Sequence, residues 1–181
     1  MRIYIKNMVC DRCKLVVRQT LEQLGLQPER VELGEVDLID QVSDWITLKQ
    51  RLYDLGFELL ADKRDQIIAQ IKAVVLTYIE HLNESRPNLS DYLADALSRD
   101  YSSLSKLFSE SEGNTIEQYL IRLKIEKVKE MLSYSQQTLS EIASQLGYSS
   151  VAHLSNQFKK VTGLTPSQFK NDPSRVSLDQ V

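Results

Sequence analysis

Period-two alternation opens the chain. In Arg2-Ile3-Tyr4-Ile5-Lys6 the two isoleucines share one face, as in a half-buried strand. From Asp11 to Leu24 the period lengthens: Leu15, Val16, Gln19 and the run from Leu21 to Leu24 fit an amphipathic helix that Gly25 closes. Val31, Leu33, Val36, Leu38 and Ile39 predict one bent strand or a very short hairpin about Gly34. A second helix is expected over Thr47 to Leu55, with Gln50 three residues after Thr47 in a capping-box pattern and Gly56 at its end. Phe57, Leu59 and Leu60 supply an edge strand. Beyond Asp65 the pattern is helical throughout. Ile67, Ile68, Ile71, Val74, Val75, Tyr78, Ile79 and Leu82 form a wide apolar stripe. Shorter helices with polar joints follow over 88–97, 100–111, 115–132, 138–146, 149–161 and 166–169. Thr115 with Gln118 and Thr138 with Glu141 read as capping boxes, and Thr165-Pro166 with Gln168 places a proline in a first turn.

The order β-α-β-(β)-α-β over residues 1–62 is the ferredoxin-like arrangement. The expected fold class is therefore an α+β N-terminal ferredoxin-like small domain followed by an all-α double helix-turn-helix domain over 63–171, with 172–181 as a flexible tail. Two segments of the helical half echo each other: DYLADALSRDYSSLSKLFSESEG and SEIASQLGYSSVAHLSNQFKKVTG. Each reads as a short helix with a small alanine, a tight turn, then a helix ending in Phe and Gly, the helix-turn-helix pattern. In the second copy Ile142, Ala143 and Leu146 pack the first helix, Gly147 permits the turn, and Ser149 or Ser150 caps the next helix. Leu154 and Phe158 anchor that helix. They leave Val151, Ala152, His153, Ser155, Asn156 and Lys159 on the opposite face, where a major groove can be read.

The stretch LSEIASQLGYSSVAHLSNQFKKVTGLTPSQFK resembles the C-terminal signature of the AraC/XylS family of transcription regulators, and GNTIEQYLIRLKIEKVKEMLS resembles the helix linking that family's two helix-turn-helix units. The resemblance spans roughly residues 67 to 170. It implies two recognition helices entering adjacent major grooves of double-stranded DNA. By position, the base-facing residues would be Ser102, Ser105 and Lys106 in the first helix. In the second they would be Val151, Ala152, His153 and Asn156, with Ser155, Lys159 and Lys160 toward phosphate.

Charge supports this unevenly. The whole chain is net −3. Residues 84–117 carry Arg86, Arg99 and Lys106 against seven carboxylates, whereas 122–170 carry seven cations against Glu126, Glu130 and Glu141. Phosphate attraction is therefore expected from the second unit and the linker helix. The first recognition helix departs from the family: Ser109 and Glu110 follow its Phe where a basic pair is usual. Its serines discriminate bases weakly. Lys124, Lys127 and Lys129 with Glu126 and Glu130 also fit a solvated helix face.

Met8-Val9-Cys10-Asp11-Arg12-Cys13 lies where a strand passes into a helix. Two sulfurs at this spacing reach one ion, and helix N-terminal amides favour thiolate. Together with Leu55-Gly56-Phe57, the stretch from Lys6 to Val17 resembles the heavy-metal-associated domain. That resemblance implies a thiophilic metal ion, Cu(I) or Zn(II), on Cys10 and Cys13. A thiol redox switch and a purely structural pair are the alternatives at this position. Two thiolates do not close a four-coordinate zinc site by themselves.

Composition is that of an ordinary globular protein, with 42% hydrophobic and 26% charged residues and only 6 Gly and 4 Pro in 181. No apolar window of about 18 residues supports a membrane span, and the first residues lack a signal-peptide core. With 2 Cys, a cytoplasmic, reducing setting is expected. No Ser-His-Asp set or phosphate loop points to an enzyme. The expectation is a sequence-specific DNA-binding regulator, metal-responsive through Cys10 and Cys13, with a second copy of the chain as a candidate partner. The competing expectation is a metal-binding, chaperone or thiol-redox protein whose helical half docks a protein.

Overall fold

The computed structural model describes residues 1–82, 87–134 and 137–171. The expected tail, 172–181, lies outside the described residues. The chain divides into two units, Met1–Val74 and Val75–Val181.

In the first unit, β1 (Arg2–Lys6), α1 (Asp11–Gln23), β2 (Pro28–Glu32), β3 (Glu35–Leu38), α2 (Trp45–Asp54) and β4 (Glu58–Leu60) follow in order. The strands form one antiparallel sheet in the order β2-β3-β1-β4. The alternation of β1 holds: Ile3 and Ile5 are buried, with Val17 and Leu21 of α1, Leu48 and Leu52 of α2, Val36, Leu38 and Phe57 in the same core. The stretch about Gly34 resolves into a true hairpin, with Val31 opposite Val36 and a register shift between Pro28 and Arg30. β2 starts three residues before Val31 because its outer residues, Glu29 and Arg30, are polar and invisible to an apolar pattern.

Gly34 serves two purposes. Its φ of +80° suits the hairpin turn, and a Cβ there would stand 3.4 Å from the Ala69 carbonyl oxygen. Ala69 belongs to α3 (Lys63–Glu80), whose first turns are tied to the sheet. Gln66 Nε2 donates to the Leu60 carbonyl at 3.0 Å, and Gln70 Nε2 donates to Glu35 at 3.1 Å. The division between units therefore falls inside α3, at Val74, rather than at residue 62 where the change of period begins.

One cap differs from expectation. α2 begins at Trp45, and its cap is Asp44, which accepts from the Thr47 amide at 3.0 Å and from the Thr47 hydroxyl at 2.6 Å. Thr47 is thus a partner of the cap and not the cap itself, and Gln50 turns forward to Asp54. A carboxylate directly before the helix outcompetes a hydroxyl for the orphan amides.

The second unit holds α4 (Leu89–Leu97), α5 (Tyr101–Glu112), α6 (Ile116–Tyr134), α7 (Leu139–Gln145), α8 (Val151–Thr162) and α9 (Pro166–Asn171). The three expected entry signals are present. Thr115 and Gln118 bond reciprocally, as do Thr138 with Glu141 and Thr165 with Gln168. α6 runs through the unit, burying Ile116, Tyr119, Leu123, Ile125, Val128, Met131 and Leu132. Phe108 of α5 lies 5.5 Å from the Tyr119 ring, and Phe158 of α8 lies 5.6 Å from Phe169 of α9. Each helix-turn-helix pair thus has its own aromatic anchor.

Candidate nucleic-acid interface

The two pairs, α4–α5 and α7–α8, are built on the same turn bonds. In the first, the Ser98 amide donates to the Asp95 carbonyl and the Arg99 amide to Ala94. In the second, the Gly147 amide donates to Ser144 and Tyr148 to Ala143. Gly147 takes φ +65° at the turn, and the first pair forces Ser98 into the same left-handed region at +49°. A serine there carries strain that glycine does not.

α8 has one buried face and one open face. Leu154 and Phe158 are fully buried. Val151, Ala152, His153, Asn156, Lys159 and Lys160 are exposed, and Ser155 is half-buried. At 100° per residue, Ala152, Asn156 and Lys159 make one stripe, flanked by His153 and Lys160. The helix starts at a neutral cap: Ser150 accepts from the His153 amide at 3.0 Å. Among the described residues Lys159 and Lys160 form no ion pair, and both side chains are exposed.

α5 has the same anatomy and different chemistry. Leu104 and Phe108 are buried, Ser102 and Lys106 are exposed, and Ser105 is half-buried. Its cap is a carboxylate, Asp100, which accepts from the Ser103 amide at 3.1 Å. The Ser102 hydroxyl donates to that same carboxylate. Those bonds, led by the one from Ser102, hold the Asp100 carboxyl below its ordinary range. Tyr101 donates to Glu117 of α6, and burial together with that carboxylate raises the tyrosine's pKa. The amides that could greet a phosphate at the start of α5 are thus occupied by the chain's own negative charge. The sequence reading of Ser102 as a base reader overlooked this local bond.

The linker helix corrects a second expectation. Lys129 and Glu126 are not on a solvated face: they pair at 2.8 Å, with side chains 10% and 9% exposed. Lys127 pairs with Glu130 at 3.2 Å. Lys124 lies over the Tyr148 ring at 5.2 Å, and burial lowers its pKa. Lys124 and Lys129, both counted toward phosphate attraction, are therefore engaged inside the unit, whereas the Lys127–Glu130 pair stays on a solvated face as expected. The open positive charge reduces to residues such as Arg122, Lys159, Lys160 and Lys170.

Tyr148 was not singled out from sequence, yet it organises the second turn. It is buried, its hydroxyl donates to Gln157 at 2.8 Å, and its ring meets His153 edge-on at 5.3 Å. An aromatic residue directly after the turn glycine was the available signal.

In the first unit, Cys10 caps α1 in an extended conformation, and the Cys10 and Cys13 sulfurs stand 3.5 Å apart. Burial pushes the Cys10 thiol up, but hydrogen bonds from Cys13 and Arg12 outweigh it and leave it below an ordinary cysteine. Burial dominates at Cys13 and raises it. Among the described residues no group of three or more His, Cys, Asp or Glu side chains is placed to hold a metal ion. No helix among them is long and apolar enough to cross a membrane.

Residues 93–172 match the family described as a helix-turn-helix domain. Over 109 residues the chain is 37% identical to an uncharacterized HTH-type transcriptional regulator of Staphylococcus aureus, covering 59% of this chain and 14% of that protein. It is 27% identical over 159 residues to the HTH-type transcriptional activator RhaS of Escherichia coli, covering 88% of this chain and 56% of that one. The chain thus spans only 14% of the length of the first of these relatives. Among solved structures, the C-terminal domain of AraT, a response regulator from Geobacillus stearothermophilus, aligns with TM-score 0.52 at 22% identity, covering 64% of this chain and 92% of that chain. A DNA-binding transcriptional dual regulator from Escherichia coli K-12 aligns with TM-score 0.50 at 20% identity, covering 59% and 90%. At these identities the likeness to solved structures is one of fold.

Proposed function

We propose that this chain, whose residues 93–172 match a helix-turn-helix family, is a sequence-specific DNA-binding transcription regulator of AraC type in which α8 does most of the reading. One observation carries the division of labour. α8 presents Val151, Ala152, His153 and Asn156 beside two exposed lysines and a neutral cap, whereas α5 begins at a carboxylate that ties up Ser102. Asn156 suits adenine, whose N6 and N7 match a side-chain amide. Lys159 and Lys160 suit phosphate. In α5, Lys106 and Ser105 remain as weaker contributors.

The test begins with duplexes selected from a randomised pool by the full chain, followed by binding titrations across salt concentration. Asn156→Ala is expected to relax one base position by about 1–3 kcal/mol. Lys159→Ala is expected to weaken all sequences and lower the salt slope by about 1. If neither substitution changes binding, α8 is not the reading helix.

The same proposal gives the first unit a sensing role, with a thiophilic ion held by Cys10 and Cys13. The strand order β2-β3-β1-β4, with both helices packed on one core, supports a ferredoxin-like reading of this unit. Two soft sulfurs at a helix start suit Cu(I), which two thiolates can hold once they part from their 3.5 Å separation to span it. A closed zinc site needs two further ligands, which the described residues do not bring there. Titration of the reduced protein with Cu(I) and with Zn(II), beside a Cys10→Ser, Cys13→Ser variant, is expected to give stoichiometric Cu(I) binding that the variant loses. Binding that survives in the variant refutes the assignment.

A further inference from the structure

The two helix-turn-helix turns differ by one residue. With Ala94 matched to Ala143 and Arg99 to Tyr148, the first helix-turn-helix passes directly to its cap, Asp100, while the second inserts Ser149 before its cap, Ser150. The inserted residue touches the face of α8. Ser149 Oγ stands 3.1 Å from His153 Nδ1. The Tyr148 ring meets the same imidazole at 85° and 5.3 Å. Tyr148 is itself fixed by Gln157 at 2.8 Å and by the Lys124 ammonium at 5.2 Å. In the first helix-turn-helix the corresponding positions are Ser103 and Arg99, and nothing corresponds to Ser149. The clamp on His153 belongs to the second helix-turn-helix alone.

We infer that His153 is a preset hydrogen-bond donor that reads guanine in the major groove. The inference rests on the proposal that α8 is the reading helix. A neutral imidazole donates at one nitrogen and accepts at the other. The tautomer protonated at Nε2 is the one imidazole favours in water, and the Ser149 hydroxyl can rotate to donate to Nδ1 and hold it. Nε2–H is then an outward donor on an exposed side chain, with no protein acceptor among the described residues. Guanine offers two adjacent acceptors, O6 and N7, at the groove edge. Adenine sets its N6 donor beside N7, cytosine offers only a donor, and thymine crowds O4 with a methyl group. A ring already held on one edge and at Nδ1 loses little freedom on binding, so its directional preference is expressed in full.

The experiment is selection from randomised duplexes with the full chain, its His153→Ala and Ser149→Ala variants, then titration on the selected site with one guanine replaced by 7-deazaguanine. Wild type is expected to select guanine at a position that His153→Ala leaves unspecified and Ser149→Ala selects less sharply, while the other positions persist. The 7-deaza replacement is expected to weaken wild type several-fold, as for one hydrogen bond, and to leave His153→Ala unchanged. Nitrogen-15 shifts of the imidazole should place the proton on Nε2. A selected motif that His153→Ala does not alter, or a proton on Nδ1, overturns the inference while leaving α8 as the reader. Absence of any selected motif, with Asn156→Ala equally silent, overturns both.

Discussion

Replacing Lys129 separates what the linker helix does for stability from what it does for DNA. Lys129 and Glu126 pair at 2.8 Å with side chains 10% and 9% exposed, and the second carboxylate oxygen, Oε2, makes no hydrogen bond. At an effective dielectric of about 20, charges at this distance attract by about 6 kcal/mol. Desolvation of the two ions offsets most of that, so the intact pair is worth little over an apolar pair. Lys129→Met removes the attraction and leaves the carboxylate buried. Neutralising a carboxylate of ordinary acidity at pH 7 takes about 3.7 kcal/mol, which caps the loss. The expected destabilisation is therefore about 3–4 kcal/mol, or at least roughly 12 °C in Tm for a unit of this size. Adding Glu126→Leu to Lys129→Met should recover most of it. Urea melts followed by far-ultraviolet circular dichroism measure each corner of the cycle. Because the ammonium is already neutralised, the salt slope of DNA binding should not change, in contrast to Lys159→Ala. A loss under about 1 kcal/mol would mean that water reaches the pair, and a slope lowered by about 1 would mean that Lys129 meets phosphate.

Gly34→Ala should destabilise the first unit by about 1–2 kcal/mol, since φ is +80° and the Ala69 carbonyl stands 3.4 Å from the added carbon. Trp45, the sole tryptophan, reports that unfolding by fluorescence. A neutral or stabilising outcome would mean that the hairpin turn differs from the one described. Arg2 grips Asp37 through two bonds of 2.7 and 2.9 Å, and this holds the Asp37 carboxyl below its ordinary range. A depressed carboxyl contributes stability above its unfolded value, near 3.9, and loses it as pH falls through the folded one. Asp37→Asn should accordingly flatten the acid limb of the first unit's stability below about pH 4, and an unchanged limb would show that solvent screens the bridge fully.

Much of the fold was legible because local chemistry and packing agree. The reciprocal boxes at Thr115, Thr138 and Thr165 each lie within one turn, so their partners are neighbours in sequence as well as in space. The four-residue spacing of Leu154 and Phe158 implies a buried stripe whatever lies opposite, and the open face of α8 follows from it. Where two local signals compete, sequence reading fails more easily. At α2 the carboxylate of Asp44 wins over the Thr47 hydroxyl, and at the start of α5 Asp100 claims Ser102.

By itself the sequence determined the period of each segment, the doubled helix-turn-helix and the nearness of Cys10 to Cys13, because these depend on spacings of a few residues. Tertiary structure alone decided which charges face water. Lys129 and Lys159 are both helix lysines, yet one is buried beside Glu126 under the ring of Phe169, 5.9 Å away, and the other stands open on α8. A periodic pattern shows that a helix has an apolar face. How far packing elements spread over the flanks of that face depends on contacts between residues distant in sequence. Those contacts also decide that α3 begins with the sheet, and that an inserted serine comes to rest against His153.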